Sequence, residues 1–260
     1  MGRPQGVYIT IEAPHLSRPL PEKHDSLIEL LAAKIRLLCQ RLGLLPQADV
    51  LIVGLGNWQA TPDSLGPRVV EQCLVTRQLH RYAPQAIPPS LRSVSAVAPG
   101  VLGLTGIETL EIVKGVVEHV HPGLVIAVDA LAAQEVKRLG TTIQLTDTGL
   151  NPGSGIGQTR GGLNQYTLGP PVLAIGVPTV VQAPVLAYEL FARLPWPGPK
   201  PPQEALTETV QTLLAPFGGE LTVTPKEIDA LIDHVSATVA TGLNRALYPE
   251  LTPEEIAYLS

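Results

Sequence analysis

The sequence predicts an α/β fold with a mainly parallel sheet covered by helices on both faces. Three observations predict it. Short, continuous aliphatic runs such as Val50–Gly54 and Gly123–Leu131 alternate with segments of helical period, and parallel strands buried on both faces read as such runs. The chain is 45% hydrophobic but only 4% aromatic, so Val, Leu, Ile and Ala must fill the core. The strand–helix alternation persists along most of the 260 residues, without internal repeats, as a chain of parallel crossovers requires. The expectation is one domain over residues 1–260, in which a stiff proline-rich connector near 194–203 leads to an appended set of C-terminal helices.

In chain order, the first element is VYITIEAP (Val7 to Pro14), rich in β-branched residues and closed by proline, an edge-strand pattern. A helix follows from Glu22 to Leu42, with Leu27, Leu30, Leu31, Ile35 and Leu38 on one face and Gly43 as its stop. Val50–Gly54 reads as a central strand, Asn57–Pro62 as a turn, and residues 64–80 as a helix. Arg92–Val97 is a strand, and after a short loop Gly106–His119 is a helix. Gly123–Leu131 is the clearest buried strand, with Asp129 at its end, and Thr141–Asp147 is a strand feeding a glycine-rich loop. Pro171–Pro178 is the next strand, followed by a helix through Arg193, and helices at 204–215 and 226–247 complete the chain. Thr224, Pro225 and Glu227 fit a capped start for the last of these.

Charge excludes some functions. The net charge is −5 and no long basic run appears, so direct nucleic-acid binding lacks its electrostatic footing. Residues 161–188 carry no charge, but Pro170, Pro171, Pro178 and Pro184 interrupt them, which reads as strand, turn and helix and not as a membrane span. No apolar run follows Met1 to mark a signal peptide. Cys39 and Cys73 stand singly in helix-like segments, so a disulfide framework is not expected, and both read as core residues.

The candidate chemistry lies in carboxylates. In open α/β sheets functional groups gather at the carboxyl ends of the strands. Asp63 follows the Val50–Gly54 strand, Asp129 ends the Gly123–Leu131 strand, and Asp147 closes the Thr141–Asp147 strand. If these strands are parallel neighbours, all three carboxylates reach one rim. Each also has a plainer reading. Asp63 precedes a helix and can serve as its N-cap, Asp129 can cap a following turn, and Asp147 in TDTG suits an Asx-turn. Two close carboxylates raise the pKa of one of them, so that one stays protonated as an acid while the other deprotonates a water. They can also hold a divalent ion that activates the water.

Other motifs are weaker. GLGNWQATPDSLG lacks the Lys-Ser/Thr ending of a phosphate-binding loop. NPGSGIGQTRGG (Asn151 to Gly162) misses a dinucleotide fingerprint at Gln158, and reads as either a surface loop or a backbone anion cradle beside Arg160. Ser154 lies in GSG without the glycines of a nucleophile elbow. The six histidines form no ligand-spaced pair with either aspartate.

VGLGNWQATPDSLGPRVV, VIAVDALAA, IQLTDTGLNPGSGIG, AIGVPTVV and TVTPKEIDALI…ATGLNRAL occur in this order. Together they resemble the germination protease family of spore-forming bacteria, from about Val7 to Leu247. The resemblance implies a three-layer sandwich with a mainly parallel mixed sheet between helices, similar to hydrogenase-maturation endopeptidases. It implies an atypical aspartic endopeptidase, without a cofactor or metal, that degrades small acid-soluble spore proteins during germination. It further implies a homotetramer in the cytoplasm of the forespore and spore core, made as a zymogen, with no nucleic-acid or membrane partner. The family's catalytic aspartates, in its T-P-D and D-A-L-A-A motifs, fall on Asp63 and Asp129 here. Gly54, Gly56, Asn57, Asp147, Ser154 and Arg160 are the expected supporting residues. The glycines would let backbone approach substrate, and Arg160 would read an acidic side chain at the cut.

Departures from the family accompany these matches. The sequence starts almost at the first strand, where the family carries a propeptide. Gln182 stands where the family usually has aspartate. Two other readings therefore stand beside the endopeptidase: a metal-dependent maturation peptidase, and a catalytically silent paralogue that binds spore proteins.

Overall fold

A computed structural model describes residues 4–17, 20–88, 90–151, 161–195 and 202–259. The elements in order are β1 (Tyr8–Glu12), α1 (Pro21–Arg41), β2 (Val50–Gly54), α2 (Leu65–Gln72), α3 (Arg77–Tyr82), β3 (Val94–Val97), α4 (Leu102–Thr105) and α5 (Thr109–Val120). Then come β4 (Leu124–Ala133), β5 (Thr142–Thr146), α6 (Gln165–Leu168), β6 (Val172–Gln182), α7 (Ala183–Arg193), α8 (Gln203–Leu214), β7 (Thr222–Val223), α9 (Ile228–Leu247) and α10 (Pro253–Leu259). The strands form one mixed sheet in the order β1-β5-β6-β4-β2-β3, with β7 beside the far end of β6. The pairs β2–β3, β2–β4 and β4–β6 are parallel, while β5 runs antiparallel to both β6 and β1.

Two apolar layers cover the sheet. On one face Leu31, Ile35 and Leu38 of α1, Leu65 and Val69 of α2, and Val235, Val239 and Leu243 of α9 pack on Val50, Ile52, Ile126 and Val128. On the other, Val113 and Val117 of α5 and Leu168 of α6 pack on Leu51, Val53, Val125 and Ala127. Odd and even positions of one strand thus serve opposite layers, which is why β2 and β4 read as continuous apolar runs. No helix among the described residues is long and apolar enough to cross a membrane.

Several elements depart from the sequence expectation, each through a tertiary cause. Leu30 is 44% exposed, because α9 meets the stripe through Leu31, Ile35 and Leu38. The helix expected over 64–80 breaks into α2 and α3. The broken stretch takes its partners from α9 and the chain end beyond it: Asn244 Oδ1 accepts the Leu74 N–H (3.0 Å), and the Tyr248 hydroxyl donates to the Leu74 carbonyl (2.9 Å). The helix expected from 226 begins at Ile228 with Glu227 at its cap and no side-chain cap bond, so Thr224 does not start it. The short β7 pairs Val223 with Val181, a contact that two residues cannot announce in sequence. The C-terminal α9 is built into the core against α1 and α2, not appended to it.

Candidate active site

The site begins where β2 stops. Gly54 is the last β2 residue paired with β4, opposite Val128. A side chain at Gly54 would strike the Gly66 carbonyl, and one at Gly66 would strike Leu55 backbone. These two glycines let α2 dock directly under the strand end. Gly56 then takes φ +120°, and a side chain there would collide with the Asp63 carbonyl. The glycines expected to admit substrate therefore admit the protein's own backbone, which folds the Asn57–Asp63 loop back on itself.

Asp63 closes that loop. Its carboxylate accepts the Asn57 N–H at 2.8 Å, at the end of a short 3-10 turn over Thr61–Asp63. The N-cap of α2 is Ser64, and its side chain makes no cap bond. Asp63 is thus held toward the loop interior and does not cap the helix. The same turn is tied from the opposite direction by the buried Thr179, whose hydroxyl donates to the Pro62 carbonyl at 2.7 Å.

Thr179 reaches this position through a β-bulge. Leu131 pairs with Pro178 and Ala132 with Val180, leaving Thr179 as the extra residue of β6. A bulge re-aims one side chain out of the ladder, and a proline inside a paired strand marks where one fits. The sequence reading ended this strand at Pro178 and did not single out Thr179. The proline in an apolar run was the available signal.

Asp129 lies within β4, not at its end, because β4 continues beside β6 to Ala133. It is the first β4 residue past the point where β2 leaves the sheet. After β2 the chain turns toward β3, and after β4 it turns toward β5 and β6. That divergence makes the β2–β4 boundary the switch point of the sheet, where open α/β folds form a crevice. Asp129 is 8% exposed, and its carboxyl is pushed up to about 7, first by burial and then by the negative charge of Asp63. The neighbouring Ala130 N–H offsets part of this shift. Burial also raises the Asp63 carboxyl, and the Asn57 N–H pulls it back. The pair is therefore unequal: one carboxyl holds its proton near neutrality, and the other has a donor that favours its anion.

The remaining expected residues divide. Asp147 does not join the pair. Because β5 is antiparallel, its carboxyl end points toward the amino ends of β4 and β6, with Thr146 opposite Ala174 where Asp129 is opposite Gly176. There Asp147 accepts the Val7 N–H at 2.7 Å and faces Arg41 at 3.7 Å, fastening the start of β1. Asn57 contributes both its N–H to Asp63 and its side-chain oxygen to the Gln59 N–H at 2.9 Å. Ser154 and Arg160 lie outside the described residues. Among the described residues no group of three or more His, Cys, Asp and Glu side chains is arranged to hold a metal ion.

A germination protease family model matches residues 1–190 and 201–260. The germination protease of Caldanaerobacter subterraneus is 46% identical over 276 residues, covering 100% of this chain and 83% of the relative. That of Bacillus subtilis is 39% identical over 297 residues, covering 97% and 81%. Among solved structures, a NiFe hydrogenase maturation protease, HycI from Thermococcus kodakarensis, aligns with a TM-score of 0.39 at 16% identity, covering 82% of this chain and 98% of that one. With a family match across nearly all of its length and relatives at this identity, the chain belongs to the germination protease family and is a peptidase.

Proposed function

We propose that the chain is an endopeptidase that degrades small acid-soluble spore proteins during germination, by activating water between Asp63 and Asp129. The observation that carries this reading is the coupled, unequal carboxyl pair at the switch point of the sheet, with Asp129 pushed up to about 7 beside Asp63. In this mechanism Asp63, whose anion the Asn57 N–H favours, takes a proton from the attacking water. Asp129 gives its proton to the amide nitrogen as the C–N bond breaks. The tetrahedral intermediate collapses to a carboxylic acid and an amine, and proton exchange with solvent restores the pair. The two carboxyls titrate as a unit, so the active form is the one carrying a single proton. The same reading has the chain work as a homotetramer in the spore core, which sedimentation of the purified protein checks.

The test is cleavage of a purified small acid-soluble spore protein by the unaltered chain, Asp63→Asn and Asp129→Asn, each with and without a chelator. Cleavage by the unaltered chain alone, at the same rate with chelator, supports the aspartate pair. Cleavage by both variants at the unaltered rate places the chemistry elsewhere. Loss on chelation would replace direct water activation with a metal-assisted one. The rate should trace a bell, falling at acid pH as Asp63 protonates and falling above about 7 as Asp129 loses its proton.

A further inference from the structure

β4 outruns its neighbour on one side only. Its last partner in β2 is Gly54, opposite Val128, yet it continues for five residues through Asp129–Ala133, all paired with β6 on the other side. The last bond across the β2 side is the Leu55 N–H to the Val128 carbonyl, at 2.8 Å. In a parallel ladder alternate residues turn both backbone groups to the same neighbour, so Ala130 and Ala132 face the lane that β2 has left. No strand among the described residues occupies it. The Ala130 N–H lies close to the carboxylate of the adjoining Asp129 and lowers its pKa. Burial changes at the same point: Leu124–Asp129 are buried, and Ala130, Leu131 and Ala132 are only half-buried.

The loop that could have filled the lane lies against β4 and β6 at its Thr61–Asp63 turn without pairing with this edge. Gly56 turns the chain away, Asp63 holds the Asn57 N–H, and Thr179 holds Pro62. An open strand edge is a template for another strand. Its backbone groups recur every second residue, about 6.6 Å apart, which matches an extended polypeptide and no compact ligand. The edge starts at one of the two carboxyls of the pair.

We infer that substrate polypeptide binds in extended form as an added β-strand along the free edge of β4 at Asp129–Ala133, with its scissile amide brought to Asp63 and Asp129. This rests on the reading of that pair as the reaction centre. It also requires the substrate segment to be unfolded, since a helix has no free backbone groups to offer. The edge then selects for chain conformation, and side-chain preferences are left to the surroundings of the lane.

The experiment uses a peptide spanning a cleavage site mapped in the spore protein, and a series in which one backbone amide at a time is N-methylated. Binding is measured on Asp129→Asn and cleavage on the unaltered chain. Edge pairing predicts an alternating pattern: methylation of amides facing β4 weakens binding about three- to tenfold, and methylation of those between them changes little. On the enzyme side, Ala132→Pro removes a lane donor and should weaken binding of the unmethylated peptide by a similar factor. Thr10→Pro, on the outward side of the remote edge strand β1, should not. Cleavage without alternation, or unchanged binding to a folded Ala132→Pro, overturns edge pairing and leaves the aspartate mechanism standing. Alternating binding without cleavage by the unaltered chain keeps the edge and overturns the mechanism. A peptide that is neither bound nor cut overturns both.

Discussion

Asp129 carries a cost that the fold accepts. Its carboxyl is raised from 3.8 to about 7 by burial and by Asp63, so the folded state holds the proton more tightly than the unfolded chain does. The stability linked to that proton is fully present below about pH 4 and is lost as pH rises through about 7. At 1.4 kcal/mol per tenfold change in proton affinity, the loss approaches about 4 kcal/mol above neutrality. Asp129→Asn, neutral at every pH, should therefore stabilise the protein at pH 8 by up to about this amount and leave it nearly unchanged at pH 3.5. Urea midpoints at the two pH values check the sign, and equal shifts at both would mean that the proton is not held more tightly in the fold. Gly56 is the second residue at which local physics decides. At φ +120° and against the Asp63 carbonyl, Gly56→Ala combines backbone strain with a clash. It should cost at least about 2 kcal/mol and abolish cleavage by displacing Asp63, as thermal melts and the spore-protein assay would show together.

Among the elements, the bulge in β6 couples the sheet to the loop. Thr179 is fully buried, and its hydroxyl makes the bond to the Pro62 carbonyl. Thr179→Val keeps the shape and removes that donor. The expected result is a loss of about 1–3 kcal/mol in stability and a lower kcat with little change in KM, because the lane along β4 is untouched while Asp63 loosens. A KM effect alone would assign Thr179 to substrate binding. The elements also show how far the sequence could be read. β2 and the first half of β4 were legible because burial on both faces leaves an unbroken aliphatic run. The break between α2 and α3 was not legible, because Asn244 and Tyr248, some 170 residues on, satisfy the Leu74 backbone. Asp147 was placed with the wrong group because a strand's direction leaves no mark on its own residues. β5 has the same apolar alternation whether it runs with β6 or against it.

At the scale of the whole molecule, the chain closes on itself. α9 brings Leu231, Ile232, Val235, Val239 and Leu243 onto Ile35, Leu38 and the sheet, and Arg245 meets Glu29 of α1 at 2.5 Å. The proline-rich connector therefore leads to a missing wall of the core. A chain ending before Ile228 would expose Leu31, Ile35 and Leu38, each now buried, at about 1.5–3 kcal/mol per side chain. For the three together this is comparable to the usual margin of stability. Such a truncation should show no cooperative unfolding transition, and a sharp transition would mean that the sheet and its first helices fold without α9.

The sequence by itself determined the α/β class and the family likeness, and through that likeness singled out Asp63 and Asp129, because these depend on local pattern: unbroken aliphatic runs, glycine turns and motifs contiguous in the chain. Only the tertiary structure decided which carboxylates meet, that Asp63 closes a loop and does not cap a helix, that Thr179 holds that loop, and that beside Asp129 no strand among the described residues pairs with that edge of β4. The physical reason is the same in each case. Strand order, strand direction and the registry of a bulge are fixed by partners distant in the chain, and the free energy of those contacts is not written in any one segment.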